Sequence, residues 1–144
     1  MSLLSDITNH IIVYEGLRLK PYKCPAGKLS IGYGRNLEGK GITEEEARHM
    51  LENDIEECFE DLETMIFCGL WSQFPEQIKL VFLDMRYNLG PSGFRLFKRM
   101  IAAAQHKDWP GVRQSMQQSK WYGQVGMRSS RLIEIIDGLI YKDM

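Results

Sequence analysis

The stretch that offers chemistry is Glu15–Gly34, EGLRLKPYKCPAGKLSIGYG. Glu15 closes a run in which Leu3, Leu4, Ile7, Ile11 and Tyr14 recur at helical spacing, and Gly16 is a natural stop. The spacing predicts a helix with Glu15 at its C-terminal end. The negative end of the helix dipole disfavours a further negative charge there, and a carboxyl that keeps its proton is what a general acid must be. Position alone does not separate Glu15 from the surface glutamates that commonly end helices. Cys24 is the other reactive side chain of the stretch. None of His10, His49 and His106 falls in a recognisable partner motif, so a Cys–His peptidase or amidase ranks last among the readings. Cys24, Cys58 and Cys68 contain no CxxC pair and no metal-ligand spacing to the histidines, which disfavours a disulfide framework or a structural metal. Cys58 and Cys68 read as small packing groups.

The elements that must position these residues follow from the pattern. Pro21, Pro25, Gly27, Gly32, Gly34, Gly39 and Gly41 punctuate short extended pieces, which predicts a small hairpin or three-stranded sheet. Thr43 and Glu46 form a capping box that opens a long helix, with Ala47, Leu51, Ile55, Phe59, Leu62 and Ile66 on one face. That length suits a helix bridging two lobes. Three or four more helices follow over about 75–141, separated at Gly90–Gly93, Trp109–Gly111 and Gly123–Gly126. Their expected core is Ile78, Val81, Phe82, Met85, Leu96, Ile101, Val112, Trp121, Leu132, Ile133 and Ile136. The expected fold class is α+β and mostly helical: a small N-terminal lobe with a short antiparallel sheet, a long linking helix, and a C-terminal helical lobe. A cleft is expected between the lobes.

The chain has 144 residues, 44% of them hydrophobic and 26% charged, a balance that suits one globular domain and argues against disorder. No apolar run approaches the roughly 18 residues of a membrane span. The first ten residues lack a basic start, and Asp6, Asn9 and His10 interrupt the nearest apolar stretch, so no secretory signal is expected. The formal net charge of −1 conceals an asymmetry. Residues 1–66 carry 7 Lys/Arg and 13 Asp/Glu, a balance of −6, whereas residues 67–144 carry 11 and 6, a balance of +5. A basic half suits an anionic polymer, nucleic acid or cell wall, although like-charge runs are usually just solvated faces.

The run E-G-x-R-L-x-x-Y followed by G-x-x-S-I-G-Y-G resembles the phage-type lysozymes, the endolysins of glycoside hydrolase family 24. It is carried by Glu15, Gly16, Arg18, Leu19 and Tyr22, then by Gly27, Ser30, Ile31, Gly32, Tyr33 and Gly34. Glu15, Cys24 and Ser30 fall on the family's three catalytic positions, although most members carry Asp at the second and Thr at the third. The segment FLDMRYNLG (82–90) looks like the family's core helix ending at the cleft, and SKWYGQVGMRSSR (119–131) is similar to its W-Y-x-Q-x-x-x-R-x-x-R signature. The resemblance covers nearly the whole chain and implies one lysozyme-like catalytic domain over 1–144. Its small lobe would lie at about 13–60, and its helical lobe at about 61–144 plus the first helix.

The resemblance implies hydrolysis of the β-1,4 bond between N-acetylmuramic acid and N-acetylglucosamine in peptidoglycan. Glu15 would be the acid, and Cys24 and Ser30 would hold the attacking water on the opposite face, with inversion. Tyr33, Asn88, Lys120 and Arg128 are the substrate-binding positions it implies. Arg128 is expected close to Glu15, and Trp121 and Tyr122 are expected as core anchors. Arg35 and Asp54 stand where the family places a cation–anion pair, whereas Glu44, Glu45, Glu46, Glu56, Glu57 and Glu60 read as solvated. The partner implied is bacterial peptidoglycan, acted on by a monomer with no nucleic acid, no membrane insertion, no metal and no cofactor. The enzyme would wait in the host cytoplasm until a holin released it to the periplasmic wall, with no appended wall-binding domain. Two alternatives keep the fold: a lytic transglycosylase, which needs one Glu and no second carboxylate, and a catalytically silent peptidoglycan-binding module.

Overall fold

The computed structural model describes residues 2–142. The chain forms two compact units, Met1–Met50 and Leu51–Met144. The first opens with α1 (Leu3–Glu15), capped by the Ser2 hydroxyl and ended by Gly16 at φ 72°. The helix lies where the spacing predicts it. Within this unit nothing covers its apolar stripe: Leu3, Leu4, Ile7 and Ile11 are all exposed. Among the described residues of this unit only Ser30 is buried, so the unit has no apolar core of its own.

The predicted sheet is present. Strands β1 (Arg18–Lys23), β2 (Leu29–Gly32) and β3 (Arg35–Asn36) run antiparallel in the order β1-β2-β3. Tyr22 pairs with Ser30, Ser30 with Asn36, and Ile31 with Arg35. The β1–β2 connection is a tight turn closed by Gly27 N–H to Cys24 O (2.8 Å) and Cys24 N–H to Lys28 O (2.9 Å). Pro25 supplies its fixed φ and Gly27 (φ 80°) its left-handed position. A single helical turn, α2 (Leu37–Lys40), leads to α3 (Glu44–Asp61).

The capping box of α3 forms as expected, Glu46 N–H to Thr43 Oγ1 at 3.1 Å and Thr43 N–H to Glu46 Oε1 at 2.9 Å. The Arg35 bridge takes a different partner. Its guanidinium forms a two-pronged pair with Glu46, Nη1 to Oε1 at 2.7 Å and Nη2 to Oε2 at 2.6 Å, and not with Asp54. The β3–α2 turn delivers the start of α3 to β3, whereas Asp54 lies eight residues, roughly 12 Å, further along the helix. Glu46 is therefore structural and not one of a solvated set.

In the second unit α3 passes into a π-helical turn, Leu62–Ile66. The stripe expected to be buried is so only at its end. Leu62 is buried and Cys58 joins it, but Leu51 and Phe59 are exposed and line a groove of about 1210 Å³. Around the expected core residue Phe82 the structure adds three aromatics that the pattern does not mark: Phe67 stacks on Phe82 (5.1 Å) and meets Phe74 and Phe94 edge-on. Because Phe67 and Trp71, four residues apart, both point inward, Cys68 is turned out and exposed, contrary to expectation. Leu96 is likewise exposed, since Phe94 takes the inward place. Ile78, Val81, Phe82, Met85, Val112, Trp121, Leu132, Ile133 and Ile136 do form the core, with Ile101 packed against it.

Helix α4 (Glu76–Arg95) is broken at Gly90 (φ 77°), after which Pro91 restarts it. Asp61 spans the break, accepting from Arg86 Nε (2.7 Å) before the kink and Arg95 Nη1 (2.9 Å) after it. Helix α5 (Lys98–Gln105) precedes α6 (Trp109–Gln117). Trp109–Gly111 is not a separator but the first turn of α6, because Asp108 caps it by accepting from Gly111 N–H (3.0 Å). Helices α7 (Lys120–Val125) and α8 (Met127–Ile140) part at Gly126 alone, with Gly123 inside α7.

The Arg35 guanidinium and the cap N–H of Thr43 hold the Glu46 carboxyl down to about 2. A carboxyl lowered on folding stabilises above its unfolded value, near 4.3, and loses that contribution as pH falls through the folded value. Wild type is therefore expected to melt above Glu46→Gln at pH 5–7, with the gap shrinking between about pH 4 and pH 2. Thermal unfolding of both proteins over that range checks it.

Candidate functional site

Glu15 ends α1, and only Gly16 and Leu17 separate it from β1. The chain then returns through β2 to a second tight turn, in which Gly32 (φ 70°) and Gly34 (φ 82°) flank Tyr33. Here the two elements meet: a Cβ built on Gly34 would lie 2.8 Å from Glu15 Oε2 and 3.3 Å from its Cδ. The carboxyl thus occupies the space that a side chain at 34 would fill. Tyr33, next to it, is exposed.

Cys24 and Ser30 form the second group. Ser30 is buried in β2 opposite Tyr22, its hydroxyl donating to Lys28 O at 3.2 Å. The half-buried Cys24 begins the β1–β2 turn. The backbone of Lys28 lowers the Cys24 thiol from its ordinary value; partial burial opposes this, and the Ala26 backbone and Ser30 hydroxyl add to the lowering. A hydrogen-bonded turn so favours an anion at sulfur.

The remaining positions lie in the second unit. Asn88 is exposed near the end of the first segment of α4, its Oδ1 accepting from the indole N–H of Trp121 (2.9 Å). Trp121 is buried in the core and Tyr122 packs against it, as expected. Lys120, the first residue of α7, is exposed beside this contact. Arg128 forms a pair with Asp84 through Nε (3.0 Å) and Nη2. Together they stand on the wall of the apolar groove. Asp84 was missed by sequence reasoning, although it sits inside the FLDMRYNLG segment, because nothing local marks a partner 44 residues away. The Arg86–Asp61–Arg95 cluster and the Arg35–Glu46 pair were missed for the same reason. Among the described residues no group of three or more His, Cys, Asp and Glu is disposed to hold a metal ion, and no helix is long and apolar enough to cross a membrane.

The first unit therefore holds a helix-end glutamate seated on a glycine turn, together with a three-stranded sheet that carries a thiol and a hydroxyl. The Phage lysozyme family matches residues 13–137, and the chain belongs to that family. It is 41% identical over 85 residues to an endolysin of Acyrthosiphon pisum secondary endosymbiont phage 1, a match covering 56% of this chain and 55% of that protein. It is 27% identical over 148 residues to the pre-baseplate central spike protein Gp5 of Enterobacteria phage T4, covering 85% of this chain and 26% of that protein. A probable T4-type lysozyme 1 of Dictyostelium discoideum is 22% identical over 162 residues, covering 94% and 95%. The chain thus spans about half the length of the endolysin and about a quarter of the spike protein.

Two measurements test this geometry. Gly27 and Gly34 both sit at positive φ, but only Gly34 faces Glu15. Alanine is expected to cost about 1–2 kcal/mol at Gly27 and distinctly more at Gly34, with the excess vanishing in a Glu15→Ala background. Denaturant unfolding of the double-mutant cycle reads the difference. Alkylation of Cys24, followed by peptide mass mapping over a pH series, should show a midpoint below that of an unperturbed thiol peptide measured alongside. Ser30→Ala should move that midpoint upward.

Proposed function

We propose that the chain hydrolyses the β-1,4 bond between N-acetylmuramic acid and N-acetylglucosamine in bacterial peptidoglycan, and that its biological outcome is host-cell lysis. One observation carries this reading: within a member of the phage lysozyme family, the carboxyl of Glu15 is seated against the backbone of Gly34, between a helix end and the turn of the sheet. Glu15 protonates the leaving glycosidic oxygen as positive charge develops at the anomeric carbon. Cys24 and Ser30 hold the attacking water on the opposite face, and the product is the inverted sugar. Tyr33, Asn88, Lys120 and Arg128 bind the glycan. The Asp84 carboxylate fixes Nε and Nη2 of Arg128, leaving Nη1 for a ligand. The whole of 1–144 acts as one catalytic domain and as a monomer, held in the host cytoplasm until a holin gives it access to the periplasmic wall.

A transglycosylase is the second reading, favoured by the thiol that replaces a carboxylate at position 24. It uses the muramic 6-hydroxyl in place of water and leaves a 1,6-anhydro end. A reducing muramic end among the products supports hydrolysis.

The decisive series is Glu15→Gln, Cys24→Ala and Cys24→Asp, assayed on permeabilised Gram-negative walls. Glu15→Gln is expected to lose about 100-fold or more in rate, the scale of general-acid catalysis. Substantial lysis by that variant overturns the assignment. Cys24→Ala retaining most activity makes Cys24 a water-positioning group, whereas loss in Cys24→Ala with recovery in Cys24→Asp makes its negative charge the requirement.

A further inference from the structure

We propose that a pocket between α3 and the first segment of α4 takes an α-ammonium carboxylate, the head that a diamino acid presents on the stem peptides of the wall polymer. The wall as the source of that head rests on the function proposed above; the chemistry of the pocket does not. The pocket has a volume of about 390 Å³ and is lined by Asp54, Glu57, Cys58, Arg86, Tyr87 and Asn88. Asp54, Glu57 and Cys58 share one face of α3 by their spacing.

The lining carries both charges. Asp54 and Glu57 are exposed carboxylates at one side. Facing them is Arg86, a residue only 7% exposed, which is rare for a cation that is not paired. Its Nε donates to Asp61 (2.7 Å), and Nη1 lies 3.9 Å from Cys58 Sγ. Nη2 makes no side-chain or backbone hydrogen bond among the described residues. No buried side-chain nitrogen or oxygen among them lacks a partner, so Nη2 keeps access to solvent, and the pocket is the cavity that Arg86 lines. Asn88 adds a second donor, since its Oδ1 is held by Trp121 and its NH₂ remains.

These groups match one ligand class. A simple cation would meet the Arg86 guanidinium, and a simple anion would meet the two carboxylates. A ligand with ammonium and carboxylate on one carbon satisfies both sides, its carboxylate on Arg86 Nη2 and Asn88 Nδ2 and its ammonium on Asp54 and Glu57. Asp61 and the core fix the guanidinium in advance, so little ordering is lost on binding. Asn88 belongs to both this pocket and the proposed glycan-binding set, which places a peptide-reading pocket beside a sugar-reading residue.

The test is a titration of the full chain with 2,6-diaminopimelic acid, followed by NMR at the Asn88 side-chain amide and the Arg86 Nε–H. Saturable shifts are expected at both. The exposed pair Asp54→Asn with Glu57→Gln should weaken binding roughly tenfold, the scale of a lost charged hydrogen bond. 1,5-Diaminopentane, which lacks the carboxylates, and the bis-N-acetyl derivative, which lacks the ammoniums, should not saturate. A stem tripeptide ending in the diamino acid should bind at least as well as the free acid; weaker binding overturns the wall as the source. No saturable shift, an unchanged affinity in the double variant, or equal binding of diaminopentane overturns the pocket itself. The readout is binding and not cleavage, so a chain that fails to hydrolyse glycan yet binds the diamino acid defeats only the earlier reading.

Discussion

The first unit is organised by a space that a side chain would fill. Glu15 ends a helix, and the Tyr33–Gly34 turn closes a hairpin 18 residues later. The carboxyl rests where a Cβ of residue 34 would stand, 2.8 Å from Oε2. Both termini of that approach are set by local chemistry. Gly16 stops α1 in the left-handed region, which only a residue without a Cβ adopts freely. Gly34 takes φ 82° for the same reason and removes the atom that would displace the carboxyl. The unit has almost no buried core to enforce this geometry. Hydrogen-bonded turns and the Arg35–Glu46 pair do so instead, which is why glycines and charged residues, rather than apolar ones, dominate residues 27–46.

The second unit solves the opposite problem. It has a large aromatic and aliphatic core, and its polar requirement is to hold a broken helix. Gly90 interrupts α4, and Asp61 bonds to arginines on both sides of the interruption. Arg95 and Arg86 together keep the Asp61 carboxyl below its ordinary value against the effect of burial. Its contribution is therefore present above the unfolded carboxylate range and declines as acid protonates it. Arg86 is fixed by the same bond, and the neighbouring Cys58 thiol is pushed up by burial, so it remains a neutral packing group beside the guanidinium. A single buried cation thus joins the helix break, the core and the α3–α4 pocket.

What the sequence made legible divides along the same line. Local patterns were read correctly: the Thr43–Glu46 box, the Gly16 stop, the glycine-punctuated sheet and most apolar positions of α4 and α8. The box, the stop and the helix faces depend on residues within four positions of one another, and the sheet on turns of two to four residues, where propensity and capping act directly. Long-range partners were not legible. Arg35 pairs with a glutamate of the first helical turn rather than Asp54 because the β3–α2 connection sets the reach, and Asp84 meets Arg128 only after α4 and α8 pack. Cys68 and Leu96 show the other limit. Both look apolar enough to bury, yet a nearby Phe, Phe67 for Cys68 and Phe94 for Leu96, takes the inward place. The family resemblance added Cys24 and Ser30, which no periodicity distinguishes.

Cys24 is where the chemistry departs most from a carboxylate, and its surroundings decide which property it retains. Donors of the β1–β2 turn stabilise the thiolate and lower the thiol from its ordinary value. The same lowering has two opposite consequences. It raises the fraction of sulfur that is negative at neutral pH, and it reduces the affinity of that sulfur for a proton. A turn built to make Cys24 a strong base would instead surround it with apolar groups or carboxylates. The surroundings here enrich charge at the expense of basicity. In the proposed reaction such a group contributes by opposing the positive charge of the oxocarbenium-like transition state and by orienting water together with the Ser30 hydroxyl. Proton removal then follows attack, once the positive charge on the new oxygen has made it acidic, and demands little of the thiol.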